Sequence, residues 1–116
     1  MPLNIINATV MNGKTAVQAV TTSATAIVSN ASASGKVLKV NALYVANVDG
    51  TSAADISVDL YRSSTAYHIA KTVSVPADAT VDILSKSIYL EEGDDLRLTA
   101  SVDSDLEAVC SYEELS

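Results

Sequence analysis

The residue types that most often carry out catalysis are scarce in this sequence. His68 is the only histidine and Cys110 the only cysteine. A nucleophilic Ser or Cys needs a histidine base within hydrogen-bond reach and a third group that orients the base. His68 falls within a predicted strand, and Cys110 lies on the apolar face of another, which favours an inert, packed thiol. No Gly-x-Ser-x-Gly turn is present. We therefore predict no catalytic residues and no enzyme activity.

Metal-ligand patterns are incomplete. A structural zinc site takes about four His or Cys ligands, and the chain has two such residues. Four acids match positions 1, 3, 5 and 12 of a calcium loop: Asp103, Asp105, Glu107 and Glu114. Ala108 stands where that loop requires glycine, and residues 106–112 read as a strand. The acidic run at 91–95 could hold a loosely bound cation or form a solvated hairpin tip. We predict neither a metal site nor a cofactor.

Composition and charge argue against nucleic-acid and membrane binding. The chain has 14 acidic and 7 basic residues, and an acidic surface repels phosphate and anionic lipid. Its four glycines are isolated, and Gly35-Lys36 lacks the upstream glycine and following helix of a phosphate loop. Five tyrosines are the only aromatic residues, and they are not accompanied by the Lys and Arg residues that line a base-stacking groove. We predict no nucleic-acid partner and no membrane partner.

The charges are unevenly distributed along the chain. Residues 1–48 contain no Asp or Glu, whereas residues 91–116 hold nine acids and one arginine. This asymmetry has two interpretations. It provides solubility, or it lets a basic edge of one copy meet an acidic edge of another.

The sequence shows neither the pattern of a membrane-spanning segment nor that of a signal peptide. No window reaches the roughly 18–20 apolar residues of a membrane span. The opening residues Met-Pro-Leu-Asn lack the charged-then-apolar layout of a signal peptide. A single cysteine fits a reducing compartment. We expect synthesis in a cytoplasm.

Alternation of apolar and polar residues with a period of two dominates the chain and predicts β-strands. Turn signals recur every 8–14 residues, which is typical of an antiparallel β-sandwich. We predict an all-β, jelly-roll-like sandwich of about eight strands, formed as a single domain by residues 15–116. Residues 1–14 are interpreted as an N-terminal arm that orders against another surface, or as a first edge strand.

Three predicted strands have informative faces. Residues 36–48 form the longest run and are placed centrally because both faces are partly apolar. Its first face is Leu38, Val40, Ala42, Tyr44, Ala46 and Val48. In the run 55–62, Ile56, Val58 and Leu60 are expected to point inward, with Asp55, Ser57, Asp59 and Tyr61 outward. In the run 66–75, one face holds Tyr67, Ile69, Val73 and Val75, and the charged Lys71 lies on the same face.

Residues 80–90 change parity near Ser85–Ser87: the apolar residues move from odd to even positions. This change predicts a bulge or a switch between sheets.

Three stretches of the sequence resemble a known group of proteins. They are KVLKVNALYVANVDG at 36–50, IYLEEGDDLRLTAS at 88–101 and SYEELS at 111–116. The chain resembles small virion structural proteins of tailed phages that infect marine and freshwater bacteria, cyanobacteria included. The resemblance implies a β-sandwich, a location in the virion and no enzyme activity. It carries over no functional residue.

This resemblance favours a capsid decoration (cement) protein that stabilises the head shell. Its expected partners are the major capsid protein or another virion component, together with copies of itself, a trimer being favoured. On this hypothesis the N-terminal arm lies along a neighbour or the shell. The alternative is a neck, tail or baseplate component that forms a ring. A third hypothesis is a glycan-binding host-attachment module, for which the outward-facing Tyr61 would be the contact residue.

Overall fold

A computed structural model describes residues 3–116, which form nine β-strands and one turn of 3₁₀ helix at Ile5–Asn7. The strands are β1 (Met11–Ala19), β2 (Thr25–Ser29), β3 (Val37–Asn47), β4 (Ala54–Arg62), β5 (Thr65–Val75), β6 (Thr80–Asp82), β7 (Ile88–Leu90), β8 (Asp95–Ala100) and β9 (Leu106–Leu115). No helix in the described part of the chain is long and apolar enough to cross a membrane.

The strands form two antiparallel sheets that pack face to face. Sheet 1 has the order β1-β9-β3-β6, with β7 also paired to β3, and sheet 2 has the order β2-β8-β4-β5. If β6 and β7 are counted as one interrupted strand, this is the strand order of an eight-stranded jelly roll. The predicted all-β sandwich is confirmed, and β3 lies centrally between β9 and the β6/β7 edge.

Residues 80–90 are irregular around Ser85–Ser87, as predicted, but the predicted alternative of a switch between sheets is wrong. β6 pairs with Tyr44–Ala46 and β7 with Leu38–Val40, so both pieces stay in sheet 1 and no switch between sheets occurs. Between them the Ile83 N–H donates to the Leu43 carbonyl, and the Leu84 side chain is buried in the core. The edge strand is broken because Leu84 turns inward between its two halves.

The core lies between the sheets and is built from the inward side chains of both. Its largest fully buried side chains include Leu43, Ile56, Leu90, Leu96 and Leu98. As predicted, Ile56 and Val58 point into this core, and Leu60 packs against its margin. Small and β-branched residues fill the remaining positions, which suits closely spaced pleated sheets.

The faces of β3 and β5 differ from the prediction because both strands contain bulges. The β3–β9 register shifts around Asn41, so Tyr44 lies on the opposite face from Leu38 and Val40. The β4–β5 register shifts twice. Thr72 lies at one of these shifts with a φ of 47° and donates its N–H to the Ser57 hydroxyl at 3.0 Å. Alternation of side chains fails wherever a strand holds an extra residue.

The N-terminal region contributes the edge strand of sheet 1. β1 pairs with β9 from Met11↔Leu115 to Ala19↔Glu107, so the predicted domain boundary after residue 14 falls inside this strand. Before β1, the N–H groups of Thr9 and Val10 donate to the Ser116 carbonyl at 2.8 and 3.0 Å. Thr9 and Val10 are thus attached to the residue that follows β9.

Candidate functional site

The two candidate catalytic residues lie in different sheets. His68 is exposed on β5, at the edge of sheet 2, where it is paired in register with Asp59. Cys110 is fully buried on the inner face of β9, in the middle of sheet 1. The fold therefore does not bring the thiol and the imidazole together.

Burial raises the pKa of the Cys110 thiol to about 11. A thiol reagent reacts with the thiolate, and only a very small fraction of Cys110 is ionised at neutral pH.

We expect Cys110 in the native protein to react with a chromogenic disulfide reagent at least about a hundredfold more slowly than a free thiol, because it is both buried and protonated. The reaction is followed by absorbance at pH 7.5, with and without 8 M urea as the control for the accessible thiol. Equal rates in the two conditions would contradict the buried placement.

The acids that match a calcium loop point to separate partners. Glu114 binds the ammonium groups of Lys36 and Lys14 at 2.9 and 3.1 Å, while Asp103 accepts the Thr22 N–H at 2.9 Å. Glu107 and Glu114 are seven positions apart on the extended strand β9. Within residues 3–116, no group of three His, Cys, Asp or Glu side chains is arranged to hold a metal ion.

The Lys14–Glu114–Lys36 cluster joins opposite ends of the sequence. Hydrogen bonds from Lys36 and Lys14 lower the pKa of Glu114, and the same carboxylate raises the pKa of Lys14. Two of the three lysines in residues 1–48 are therefore paired within the chain, which reduces the basic charge available to another copy.

The acidic turn at 91–95 is tied to the body of the protein by Arg62. The Arg62 Nε donates to the buried Asp94 carboxylate at 2.7 Å, and its Nη2 binds Glu91 at 2.9 Å. Burial alone would raise the pKa of Asp94, but the hydrogen bonds from Arg62 and the Glu91 N–H outweigh it and lower the pKa. Asp94 is thus a structural anchor rather than a solvated acid.

A second arginine–carboxylate pair lies on the outer face of sheet 2. The Arg97 Nε donates to Asp59 at 2.9 Å, and the Arg97 guanidinium lies 3.8 Å from the centre of the Tyr61 ring. Asp59 faces outward as predicted, yet it is buried because Arg97 covers it. Arg97 also occupies one face of Tyr61, so that face is closed to a stacking sugar.

An apolar row crosses the outer face of sheet 1. Val17 on β1, Val109 on β9 and Tyr44 on β3 are neighbours in register, and their exposed fractions are 75%, 41% and 44%. A shallow trough of about 290 Å³ is lined by residues 17–19 of β1 and residues 107–109 of β9. We call Val17, Val109 and Tyr44 the apolar row.

The apolar row was not predicted from the sequence. Glu107, Val109 and Ser111 share the outward face of the last predicted strand. An apolar Val109 on that face is a sequence signal for an exposed apolar contact. Tyr44 joins the row only through the bulge at Asn41.

A second apolar group projects from the Ile5–Asn7 turn. Ile6 is 89% exposed, and no residue of the turn is buried. The turn is nevertheless ordered: the Asn4 side chain accepts the Ile6 N–H at 3.1 Å, and the Asn7 N–H donates to the Asn4 carbonyl. We call this element the Ile6 turn.

No protein-family model and no curated protein matches the chain. A solved structure with a similar fold is a chain from Bacillus endospore appendages, which are described as a novel family of disulfide-linked pili. The match has a TM-score of 0.55 and 14% sequence identity, and it covers 92% of this chain and 87% of that chain. At this identity the likeness establishes the shared β-fold.

Proposed function

We propose that this chain is a non-enzymatic structural subunit, and specifically a decoration protein on the capsid of a tailed phage. The observation that carries the proposal is the contrast between its charged and its apolar groups. Arg62, Arg97 and Lys14 are paired within the chain, whereas the apolar row is left in solvent. Exposed apolar patches on soluble proteins mark interaction surfaces.

The size of the sheet face supports a protein partner. The three long strands of sheet 1 have 9, 10 and 11 residues, and together with the short edge strand, at a spacing of about 4.8 Å, they give a face of roughly 600 Å². A specific interface buries about 800 Å² on each partner, so this face forms most of one. The proposed partners are the major capsid protein and further copies of this chain.

The fold likeness to an appendage pilus protein supports the idea that such a sandwich can serve as a repeated subunit. Those pili are described as disulfide-linked, whereas this chain has one cysteine, which is buried. On our proposal the contacts between copies are therefore non-covalent.

We expect the purified chain to form a trimer by light scattering on a sizing column, and to co-sediment with expanded empty capsids of a tailed cyanobacterial phage. Val109→Ser should weaken capsid binding at least about tenfold, since it removes apolar area from the centre of the face. The matched control is Val102→Ser, because Val102 is 42% exposed but lies outside the apolar row.

A chain that stays monomeric and does not sediment with capsids would overturn the proposal. A larger closed ring without capsid binding would instead favour the neck, tail or baseplate alternative. Circular dichroism of both variants shows that a loss of binding does not come from unfolding.

A further inference from the structure

The Ile6 turn is held by hydrogen bonds although none of its three residues is buried, and Ile6 itself is 89% exposed. Fixing the backbone costs about 1–2 kcal/mol per residue, and burial of apolar side chains normally offsets this cost. Here the cap from Asn4 and the anchor to Ser116 hold the turn while Ile6 stays 89% exposed. A preorganised apolar side chain of this kind is suited to binding another surface.

The apolar row offers a matching receptor. Its trough of about 290 Å³ is at the lower limit of small-molecule pockets, so it suits one or two apolar side chains of a protein. Val17, 75% exposed, and Val109, 41% exposed, are register partners on neighbouring strands, and both line the trough.

The turn and the row of one copy are far apart. Thr9 and Val10 are bonded to Ser116, while the row crosses β9 at Val109, seven residues away along the strand. At the rise of a β-strand this separation is roughly 24 Å. The turn of one copy therefore cannot reach its own row, and among the Ile6 turns only that of a second copy can occupy it.

Two groups of a second copy could cover the apolar row: its Ile6 turn or the outer face of its own sheet 1. The charges around the row favour the Ile6 turn. The row is flanked by Glu107 and by Asp82, the register partner of Tyr44. Two such faces packed against each other would bring these acids together in an interface. Residues 3–10 carry no charged side chain, so the Ile6 turn meets no such repulsion.

We propose that the Ile6 turn of one copy docks into the trough lined by Val17 and Val109 of a second copy. The contact joins two different surfaces, so it is head-to-tail and forms a closed ring, such as a trimer, when the rotation between copies closes. This inference rests on the proposed structural function and specifies how copies contact one another.

The test is disulfide trapping between two variants that both retain the buried Cys110. Ile6→Cys is mixed under mild oxidation with Val17→Cys that carries a size tag, so that mixed dimers and dimers of either variant with itself form separate bands on non-reducing gels. Docked thiols meet at a high effective concentration, so we expect dimers of the mixed pair about tenfold faster than background. The background is Ile6→Cys mixed with Val73→Cys, because Val73 is exposed on the edge of the other sheet.

Mixed dimers at the background rate would overturn the inference, as would Val17→Cys preferring to pair with itself. The mass of the wild-type chain separates the two proposals. A wild-type trimer with background trapping leaves the structural function standing and rejects this contact. A wild-type monomer that neither traps nor binds capsids rejects both.

Discussion

Replacing Arg62 with methionine is expected to lower the free energy of unfolding by about 2 to 3 kcal/mol at neutral pH. The substitution leaves the Asp94 carboxylate buried without its cation, and it frees Glu91 from the same guanidinium. The estimate is below that of a fully buried pair because Arg62 is itself partly exposed. Urea unfolding followed by circular dichroism measures the change. Lys86→Met, at an exposed lysine, is the control and should change stability by less than about 0.5 kcal/mol.

The effect of this substitution depends on pH with a definite sign. The folded protein lowers the pKa of Asp94, so the pair adds stability above the unfolded carboxyl pKa of about 3.9. That contribution is lost as the pH falls through the lower folded pKa. The difference between wild type and Arg62→Met should therefore shrink in acid. A difference that stays constant from pH 7 to pH 3 would show that Arg62 stabilises through packing alone.

Replacing Asn47 with aspartate is expected to cost about 3 kcal/mol of stability. The buried Asn47 side chain donates to the carbonyls of Ser52 and Val75 at 2.9 and 3.0 Å, which joins the turn after β3 to the end of β5. A carboxylate has the same shape but no donor, so it places a charge against two carbonyl oxygens. Thermal and urea unfolding measure the loss.

Asn41→Asp is the matched control for this substitution. Asn41 accepts the Ser87 hydroxyl at 3.3 Å through its side-chain oxygen, which aspartate retains. We expect a change below about 0.5 kcal/mol. Similar losses in both variants would mean that added negative charge, rather than the two lost donors, destabilises the protein.

Alternation of residues was sufficient to predict the β-sandwich, because each strand must bury one face against the other sheet. It was not sufficient for the faces of β3, since a bulge at Asn41 moves Tyr44 to the outer surface. A bulge depends on how the partner strand fits, and the alternation of one strand does not reveal it.

The burial of two carboxylates could not be predicted from the alternation of residues either. Asp59 and Asp94 lie in a predicted outward position and a predicted turn, where acids are normally solvated. Their arginine partners are 38 and 32 residues away in the sequence. Only the three-dimensional pairing of β4 with β8, and of Arg62 with the turn before β8, shows that these acids are covered. The apolar row depends on long-range pairing in the same way.

The pairing of β1 with β9 has a consequence for biosynthesis. Met11 and Leu115 are adjacent in the sheet but about a hundred residues apart in the chain. Sheet 1 can close only when β9 has left the ribosome, about a hundred residues after β1. Val17 and Val109 come together at that same moment. A chain in which β9 has not yet paired with β1 therefore has no trough, and on our proposal this topology restricts assembly to chains that have finished folding.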